Sequence, residues 1–309
     1  MLEIFLKTLP FFALLGVGYL AGRTRFFPEQ ATAYLTKFVF YFALTAMVFG
    51  FVATLPVSEM FDPQFASAYL LGSMVVYGLV TLVAKMRGLP VAEAAIEAQC
   101  GIIGNTGFLG VPLLVALLGA TAIGPVMMVL SIDLIVFSSL VVILITGSRD
   151  GRMSLGVLSS VVMGLLKNPM VMSMVLGLLW SATSLPIPAP VSEFLTLLGA
   201  AATPGALFAI GASLAYKTAE RMTVAIWLSF AKLVLHPLAV GICALLVFDV
   251  VRFDAGVMIA AASLPVAGNV YILAQHYGVA PHRVSASILV STLVSILTIP
   301  LVISWVSTL

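Results

Sequence analysis

Ten apolar segments, each close to the length that crosses a membrane, make up most of this 309-residue chain. About 20 apolar residues span the hydrocarbon core of a bilayer. The segments lie near 4–21, 31–53, 64–84, 97–118, 122–146, 168–182, 191–215, 223–248, 255–277 and 284–306. Lipid offers the backbone no hydrogen bonds, and long continuous apolar runs favour helices over a barrel. The sequence therefore predicts an all-α integral membrane protein with ten transmembrane helices.

The composition agrees with this class and argues against several others. The chain is 62% hydrophobic and 8% charged, with a mean hydropathy of +1.20, which is outside the range of soluble domains. The basic residues are scattered between apolar runs, so nucleic acid is not expected as a partner. No cofactor or metal site is expected. The sequence has no HExxH or G-x-S-x-G motif and no pair of intramembrane aspartates, so an enzyme is not expected either.

The distribution of basic residues predicts the orientation of the chain. Cytoplasmic loops carry an excess of Lys and Arg. When loops are assigned to alternate sides, eleven of the 14 basic residues fall on one side, Lys7 and Arg252 fall on the other, and Lys232 lies within a segment. The eleven are Arg23, Arg25, Lys37, Lys85, Arg87, Arg149, Arg152, Lys167, Lys217, Arg221 and Arg283. This asymmetry predicts that both termini lie on the extracytoplasmic side of the cell membrane.

The chain divides into two halves, 1–150 and 151–309, around the weakly apolar stretch 147–167. An odd number of crossings in each half turns the second half upside down in the membrane. A shift of 159 residues superposes identical residues of the two halves, namely Pro10 on Pro169, Gly18 on Gly177, Phe49 on Phe208 and Gly119 on Gly278. Inverted five-helix repeats of this kind are typical of secondary transporters.

Two segments at corresponding places contain residues that interrupt helices. The fourth segment contains GNTGFLGVP from Gly104, and the ninth contains LPVAGN from Leu264. Proline removes an amide donor and glycine costs conformational entropy, so both segments are predicted to unwind near the membrane midplane. Unwound backbone in a membrane is tolerated where it lines a cavity, and the N-terminus of a half-helix favours an anion. A further kink is predicted in the seventh segment at Pro204 and Gly205.

These interruptions predict a binding site for a small organic anion. The candidate binding residues are Asn105, Thr106, Gly107, Pro112, Pro265, Val266, Gly268 and Asn269. Helix packing is the alternative, because closely spaced glycines let helices approach each other and proline kinks occur in membrane helices. Two interruptions at corresponding depth, each with an asparagine, favour a site.

A second group of polar residues lies inside other segments. Asp133 is near the centre of the fifth segment, where an ionised carboxylate costs about 2.5–3.5 kcal/mol. Lys232 and His236 are four residues apart and share a helix face. An Asp133–Lys232 pair with His236 nearby would satisfy all three groups and could carry a coupling proton. Alternatively, Lys232 snorkels to the interface and His236 only bonds a backbone carbonyl. Glu97 and Gln99 are expected at a cavity mouth.

Several motifs together resemble the auxin efflux carrier family over nearly the whole chain. They are GNTGFLGVP (104–112), LLKNPMVMSMVLGLL (165–179), GAAATPGALFAIGASLA (199–215), KLVLHP (232–237) and LPVAGNVYILAQHYG (264–278). The resemblance implies ten helices in two inverted repeats. A scaffold domain would contain helices 1, 2, 6 and 7, and a transport domain helices 3–5 and 8–10, with helices 4 and 9 broken and crossed. Plant members export auxin, and bacterial relatives are regarded as carriers of small organic acids such as malate or malonate.

The resemblance also suggests residue roles and a location. The family's crossover region matches this chain at Asn105, Pro112, Pro265 and Asn269, which implies a binding role for them. Thr45 stands where many relatives have a proline, and the long hydrophilic loop of the long plant carriers is missing. The short loops are similar to those of bacterial members, which implies the bacterial inner membrane. A homodimer through the scaffold helices would fit the family pattern.

The leading hypothesis is a secondary active transporter of a small carboxylate such as malate, malonate or an auxin-like acid, working by an elevator movement. A proton or a sodium ion would be the coupling ion. The alternative is a membrane sensor or scaffold that binds the anion without moving it. Flux into liposomes distinguishes the two, because a sensor binds its ligand without counterflow.

Overall fold

The computed structural model describes residues 2–54, 62–150, 162–163, 166–216 and 222–308. Regular structure in these ranges is helical, apart from one isolated β-bridge. The main helices are α1 (Leu2–Arg23), α2 (Glu29–Val52), α3 (Pro63–Met86), α4 (Val91–Ile102), α5 (Thr106–Leu118), α6 (Ala120–Ser148), α7 (Pro169–Ala182), α8 (Ala189–Leu214), α9 (Met222–Val247), α10 (Arg252–Ala262), α11 (Gly268–Tyr277) and α12 (Pro281–Val306). The all-α class predicted from the sequence is confirmed for this part of the chain.

Six of these helices are long and apolar enough to cross a bilayer: α2, α3, α6, α8, α9 and α12. Shorter apolar helices lie at Leu9–Arg23, Thr106–Leu118 and Pro169–Ala182. The chain is a multi-pass membrane protein. Of the basic residues that predict its orientation, Arg152, Lys217 and Arg221 lie outside the described residues, as do the side chains of Lys7 and Arg149.

Both predicted helix interruptions are present. One separates α4 from α5 at 103–105, and the other separates α10 from α11 at 263–267. Pro265 lies inside the second interruption, whereas Pro112 lies within α5 and not in the first one. The seventh segment is also disturbed, because the helix of α8 is broken at Ala201, just before Pro204.

The helices pack in two groups. In the first group, α1 packs against α8, and α2 packs against α7 and α8. In the second group, α3 packs against α4 and α9, while α12 packs against α9, α10 and α11. Helix α6 joins the second group through α4. The interrupted helices therefore belong to one group, and they face the other group through α5.

Helices α1 and α8 approach each other so closely that their backbones touch. A Cβ atom added to Gly18 would lie 2.2 Å from the carbonyl oxygen of Phe208, and one added to Gly211 would lie 2.0 Å from that of Leu15. Small residues at such crossings replace the hydrophobic driving force that lipid cannot provide. The two glycines therefore set the distance between α1 and α8.

Replacement of Gly18 by alanine is expected to lower the thermal stability of the purified protein. The new methyl group must push α8 away, and overpacking of this kind costs about 1–3 kcal/mol. Gly16→Ala on the same helix is the matched control, because a Cβ there meets no heavy atom within 4 Å. Equal melting temperatures for the two variants in detergent would contradict this account of the α1–α8 contact.

Candidate functional site

The two interruptions cross and bond to each other. The amide of Asn105 donates to the carbonyl of Pro265 at 2.8 Å, and the amide of Ala267 donates to that of Ile103 at 3.0 Å. Gly104 and Val266 form an antiparallel β-bridge at the crossing. The amide of Val266 is held by the Ser291 hydroxyl of α12 at 3.1 Å. The unwound backbone thus satisfies part of its own hydrogen bonding.

Two helices begin at this crossing with unpaired amide groups. The first amides of α5, at Thr106, Gly107 and Phe108, make no backbone hydrogen bond within the described residues. The same holds for Gly268 and Asn269 at the start of α11. Such helix starts carry partial positive charge and are a general site for anions.

A cavity of about 50 Å³ lies at these helix starts. It is bounded by both groups of helices, because Phe40 of α2 and Met170 of α7 face Asn105, Asp133 and the second interruption across it. Phe40 stacks on Phe108 of α5 with ring centroids 5.8 Å apart. The full lining is Phe40, Ile103, Gly104, Asn105, Gly107, Phe108, Leu130, Asp133, Leu134, Asn168, Met170, Ala267, Gly268 and Asn269. Among these described residues there is no lysine or arginine.

The chain contains three asparagines, and all three line this cavity. The Oδ1 atom of Asn168 caps α7 by accepting from the amides of Met170 at 3.0 Å and Val171 at 3.4 Å, which leaves its Nδ2 as the free donor. Asn105 is 8% exposed and Asn269 is half-buried, with no side-chain partner for its buried Oδ1. Neutral amides at helix starts can hydrogen-bond a carboxylate.

The structure separates the sequence-predicted binding residues into two sets. Asn105, Gly107, Gly268 and Asn269 line the cavity. The other four, Thr106, Pro112, Pro265 and Val266, do not line it. Pro265 and Val266 instead build the crossing, so their role is structural support of the cavity.

Asn168 was missed by the sequence reasoning. Its signal was present, because an asparagine directly before a proline is typical of a helix start. Its closeness to the other two asparagines depends on the packing of α7 against α2, which the sequence does not reveal.

The predicted Asp133–Lys232 pair is wrong in its direct form. Both residues are described and buried, and no ion pair joins them. The carboxylate of Asp133 instead accepts a hydrogen bond from the Tyr69 hydroxyl of α3 at 2.8 Å. Its second oxygen has no partner in the described residues.

Lys232 and His236 lie behind the cavity, not in it. Lys232 is fully buried, so it does not snorkel, and its ammonium group donates to the carbonyl of Ala262 at the end of α10. Its Nζ is 3.1 Å from Nδ1 of His236, and Nε2 of that ring is 2.9 Å from the Ser73 hydroxyl. A cation at a helix C-terminus is stabilised by the helix dipole. Lys232 therefore supports the second interruption from behind.

Widened helical turns occur at both charged positions. The turn of α6 that begins at Asp133 and the turn of α9 that contains Lys232 have i→i+5 hydrogen bonds. Such turns insert one residue into a helix and are frequent at functional sites. Asp133 and Lys232 therefore lie where the α-helical hydrogen-bond pattern is interrupted by a wider turn.

Glu97 and Gln99 do not lie at a cavity mouth. Helix α4 begins at Val91, six residues earlier than predicted, so both residues are inside it and both are 1% exposed. The Glu97 carboxylate pairs with Arg87 at 2.7 Å and with Arg283 at 3.0 Å. Neither polar atom of the Gln99 side chain has a partner in the described residues. Because α4 begins earlier than predicted, Glu97 and Gln99 lie in its buried part and not at its exposed start.

Glu97→Gln is expected to destabilise the protein by about 3 kcal/mol, because it leaves the Arg283 guanidinium with one fewer buried partner and Arg87 with no ion-pair partner in the described residues. Glu93→Gln is the control, since Glu93 is 30% exposed and, in the part of the chain that the structure describes, pairs only with Arg283. Thermal unfolding in detergent measures the difference. A larger loss for Glu93→Gln than for Glu97→Gln would contradict the assignment.

A larger cavity of about 440 Å³ lies elsewhere, between the end of α2 and the α7–α8 connection. Its lining contains no charged residue and no interrupted helix: Ala53, Thr54, Ser181, Ser184, Leu185, Pro186 and Ile187. The asparagines and the two interruptions lie at the smaller cavity, which is therefore the candidate site.

Comparison with known proteins identifies the family. Residues 3–303 match the sequence profile of the family described as "Membrane transport protein". The chain belongs to this family, the auxin efflux carriers. The match spans both groups of helices and both interruptions, so the crossed helices lie within the shared part of this transporter family.

Two relatives are similar to this chain over nearly their whole length. A protein of Rhizobium meliloti (strain 1021) named "Putative malonate transporter" is 32% identical over 304 residues, covering 97% of this chain and 94% of that protein. The "Uncharacterized transporter YfdV" of Escherichia coli (strain K12) is 29% identical over 310 residues, covering 95% and 94%. Both names describe transporters.

Proposed function

We propose that this chain is a secondary active transporter that binds a small organic anion at the crossed interruptions and carries it across the bacterial inner membrane. The observation that carries the proposal is the convergence of two unpaired helix starts and all three asparagines on one cavity. Amide donors and helix dipoles together hold a carboxylate without a cationic side chain. Asn105, Asn168 and Asn269 are the proposed substrate ligands.

A small dicarboxylate of the malonate type is the proposed substrate class. The name of the Rhizobium meliloti relative supports malonate. The geometry supports an anion with two ends, because α5 and α11 both begin at the crossing and each presents its own amides. Each carboxylate would meet one helix start.

The proposed fold is a pair of inverted five-helix repeats, supported by the helix bounds. Adding 159 to Pro63–Met86 gives 222–245, against Met222–Val247 for α9. The connections after α5 and α11 also correspond, since both contain a glycine with positive φ, Gly119 at 94° and Gly278 at 63°. Inverted repeats with broken helices favour a binding site at the membrane midplane.

An elevator-type movement is the proposed mechanism, with α1, α2, α7 and α8 as scaffold domain and the remaining helices as transport domain. The cavity lies between the two groups, which supports this division. The cavity of about 50 Å³ is far smaller than the roughly 300–1,000 Å³ of typical small-molecule sites. A dicarboxylate therefore enters only when the groups separate, and their relative movement exposes the site.

The proposed coupling ion is a proton, taken up by Asp133. This residue lines the cavity, and one of its carboxylate oxygens has no hydrogen-bond partner in the described residues. A bound substrate anion and an ionised Asp133 would repel each other, so protonation of the carboxylate favours binding. Sodium is the alternative coupling ion. Accumulation of the anion in vesicles under a sodium gradient, and not under a pH gradient, would identify it.

Anion binding is expected to strengthen as the pH falls, because a proton on Asp133 removes the repulsion. Asp133→Asn is expected to bind malonate with the same affinity at high and low pH, since its amide is always neutral. Thermal-shift titration with malonate at two pH values measures both proteins. Asp133→Asn that keeps the pH dependence of the wild type would contradict proton coupling at this residue.

Counterflow in proteoliposomes tests the proposed function. Vesicles loaded with unlabelled malonate are expected to take up labelled malonate when they contain the protein and not when they are empty. Binding without counterflow would instead support the membrane sensor. For the assembly, we propose a homodimer through the scaffold helices with both termini on the extracytoplasmic side, which cross-linking and terminal tags would test.

A further inference from the structure

Two aromatic rings, one from each group of helices, stack on each other at the edge of the cavity. Phe40 belongs to α2 in the first group, and Phe108 belongs to α5, which follows the first interruption. The ring centroids are 5.8 Å apart and the ring planes are within 6° of parallel. Both residues line the cavity. The stack therefore joins the two groups at the place where the anion is proposed to bind.

Each ring is carried by a widened helical turn. The turns Val39–Ala43 of α2 and Thr106–Gly110 of α5 have i→i+5 hydrogen bonds. In the second turn, the carbonyl of Asn105 accepts from the amides of both Leu109 and Gly110 at 2.9 Å. A widened turn inserts one residue into a helix, and such turns are frequent at functional sites. Both helices thus depart from regular geometry at the residues that form the stack.

The side chain of Phe108 also reaches into the first group. It packs against a cluster of five buried apolar residues that all belong to α2 and α8, namely Val39, Ala43, Leu44, Ala202 and Ala206. The ring therefore extends away from its own group and fills space between the two groups. A residue in this position limits what else can lie between them.

The stack forms the outer wall of the cavity. Both rings are half-buried, whereas Ile103, Gly104 and Gly107 on the same lining are buried. Among the described lining residues, phenylalanine has the largest side chain. A solute larger than the present cavity of about 50 Å³ therefore gains space on this side only when a phenyl ring moves away.

We propose that the side chains of Phe40 and Phe108 set the size limit of the substrate, admitting small aliphatic dicarboxylates and excluding those that carry an aromatic ring. The proposal rests on the proposed function and deepens it by naming the size class of the anion. An aromatic ring attached to the substrate competes with Phe40 or Phe108 for the same apolar space between the groups. Two rings are already stacked there, so a third does not fit beside them.

Size selection and anion binding depend on different parts of Phe108. Its amide is one of the groups at the start of α5 that make no backbone hydrogen bond within the described residues, while its side chain stacks on Phe40. Replacement by alanine removes the ring and keeps the amide. The helix start is expected to persist, because alanine favours helices. A change in the preferred substrate then reports the effect of the ring.

Benzylmalonate is the probe for the size limit, because it keeps both carboxylates of malonate and adds one benzyl group to the central carbon. We expect the wild type in proteoliposomes to take up labelled malonate at least about 10-fold faster than labelled benzylmalonate. Phe108→Ala is expected to raise the ratio of benzylmalonate to malonate uptake about 10-fold or more, which is the effect of burying one phenyl group. Phe40→Ala, on the opposite side of the stack, is expected to raise this ratio as well.

Phe42→Ala is the matched control. Phe42 lies on the same widened turn as Phe40, but it is exposed, stacks on Phe38 with centroids 6.1 Å apart and does not line the cavity. This variant loses a phenyl ring of the same size outside the cavity. Its ratio of benzylmalonate to malonate uptake is expected to equal that of the wild type. Thermal unfolding in detergent shows which variants are folded.

Three results would overturn the size limit. The first is a wild type that takes up benzylmalonate as fast as malonate. The second is an unchanged uptake ratio in whichever of Phe108→Ala and Phe40→Ala is folded. The third is a folded Phe108→Ala or Phe40→Ala that binds neither anion in a thermal-shift titration, because the ring would then serve malonate binding itself.

Failure of the proposed function gives a different pattern of results. A wild type without malonate counterflow refutes that function, and the size limit of transport falls with it. Wild-type counterflow of malonate, together with an unchanged uptake ratio in the folded variants, refutes the size limit alone.

Discussion

Replacement of both Asn105 and Asn269 by alanine is expected to reduce uptake of labelled malonate about 100-fold or more in proteoliposomes. Each amide is proposed to make one hydrogen bond to a charged carboxylate, and such a bond contributes about 1.5–3 kcal/mol. Two of them correspond to about 100-fold in affinity at the low end. Each single variant is expected to reduce the uptake of labelled malonate about 10-fold or more.

The control for this pair is Gln275→Ala. Gln275 is also an amide on α11, but it is exposed and bonds to the Tyr271 hydroxyl away from the cavity. Uptake of labelled malonate by the Gln275→Ala variant is expected to equal that of the wild type. Thermal unfolding must show that the double variant is folded. Wild-type uptake by the folded Asn105, Asn269 double variant would remove both residues from the site.

Asn168→Asp is expected to abolish malonate binding while leaving stability nearly unchanged. Aspartate caps a helix as well as asparagine does, so the start of α7 remains satisfied. It also places a negative charge at the cavity. At a separation of about 5 Å and an effective dielectric constant of about 20, each substrate charge is repelled by about 3 kcal/mol, which weakens binding about 100-fold per charge.

The matched variant at this position is Asn168→Ser, which keeps the cap and adds no charge. It is expected to retain much of the affinity for malonate that Asn168→Asp loses, as measured by thermal shift and by counterflow. The contrast separates the electrostatic argument from a structural one. Equal loss in both variants would show that the side chain shapes the cavity and does not set its charge.

The sequence predicted the parts of the fold that depend on local composition. Apolar length placed the helices, and Gly and Pro placed the interruptions, because both act on the backbone within a few residues. The fourth segment was predicted to begin six residues late, since Glu93 and Glu97 looked like polar flanks. The ion pair of Glu97 with Arg283, which lies 186 residues later in the chain, makes burial of the Glu97 carboxylate possible, while Glu93 stays partly exposed.

The candidate site was predictable only in part. Asn105 and Asn269 were found because they lie beside the predicted interruptions, while Asn168 depends on packing between helix groups. Asp133 and Lys232 were correctly singled out as buried polar residues, but a direct pair was assumed. Tyr69 is 64 residues from Asp133 and bonds to it through tertiary contact alone, so no sequence spacing points to it.

The central claim is that the cavity at the crossed interruptions holds the transported anion. Diffraction from crystals grown with bromomalonate tests it most directly, because the bromine gives an anomalous peak. The account predicts that peak between Asn105, Asn168 and Asn269, with carboxylate density at the starts of α5 and α11. A peak in the larger cavity beside Ser181 and Ser184, with the crossed interruptions still closed, would contradict it.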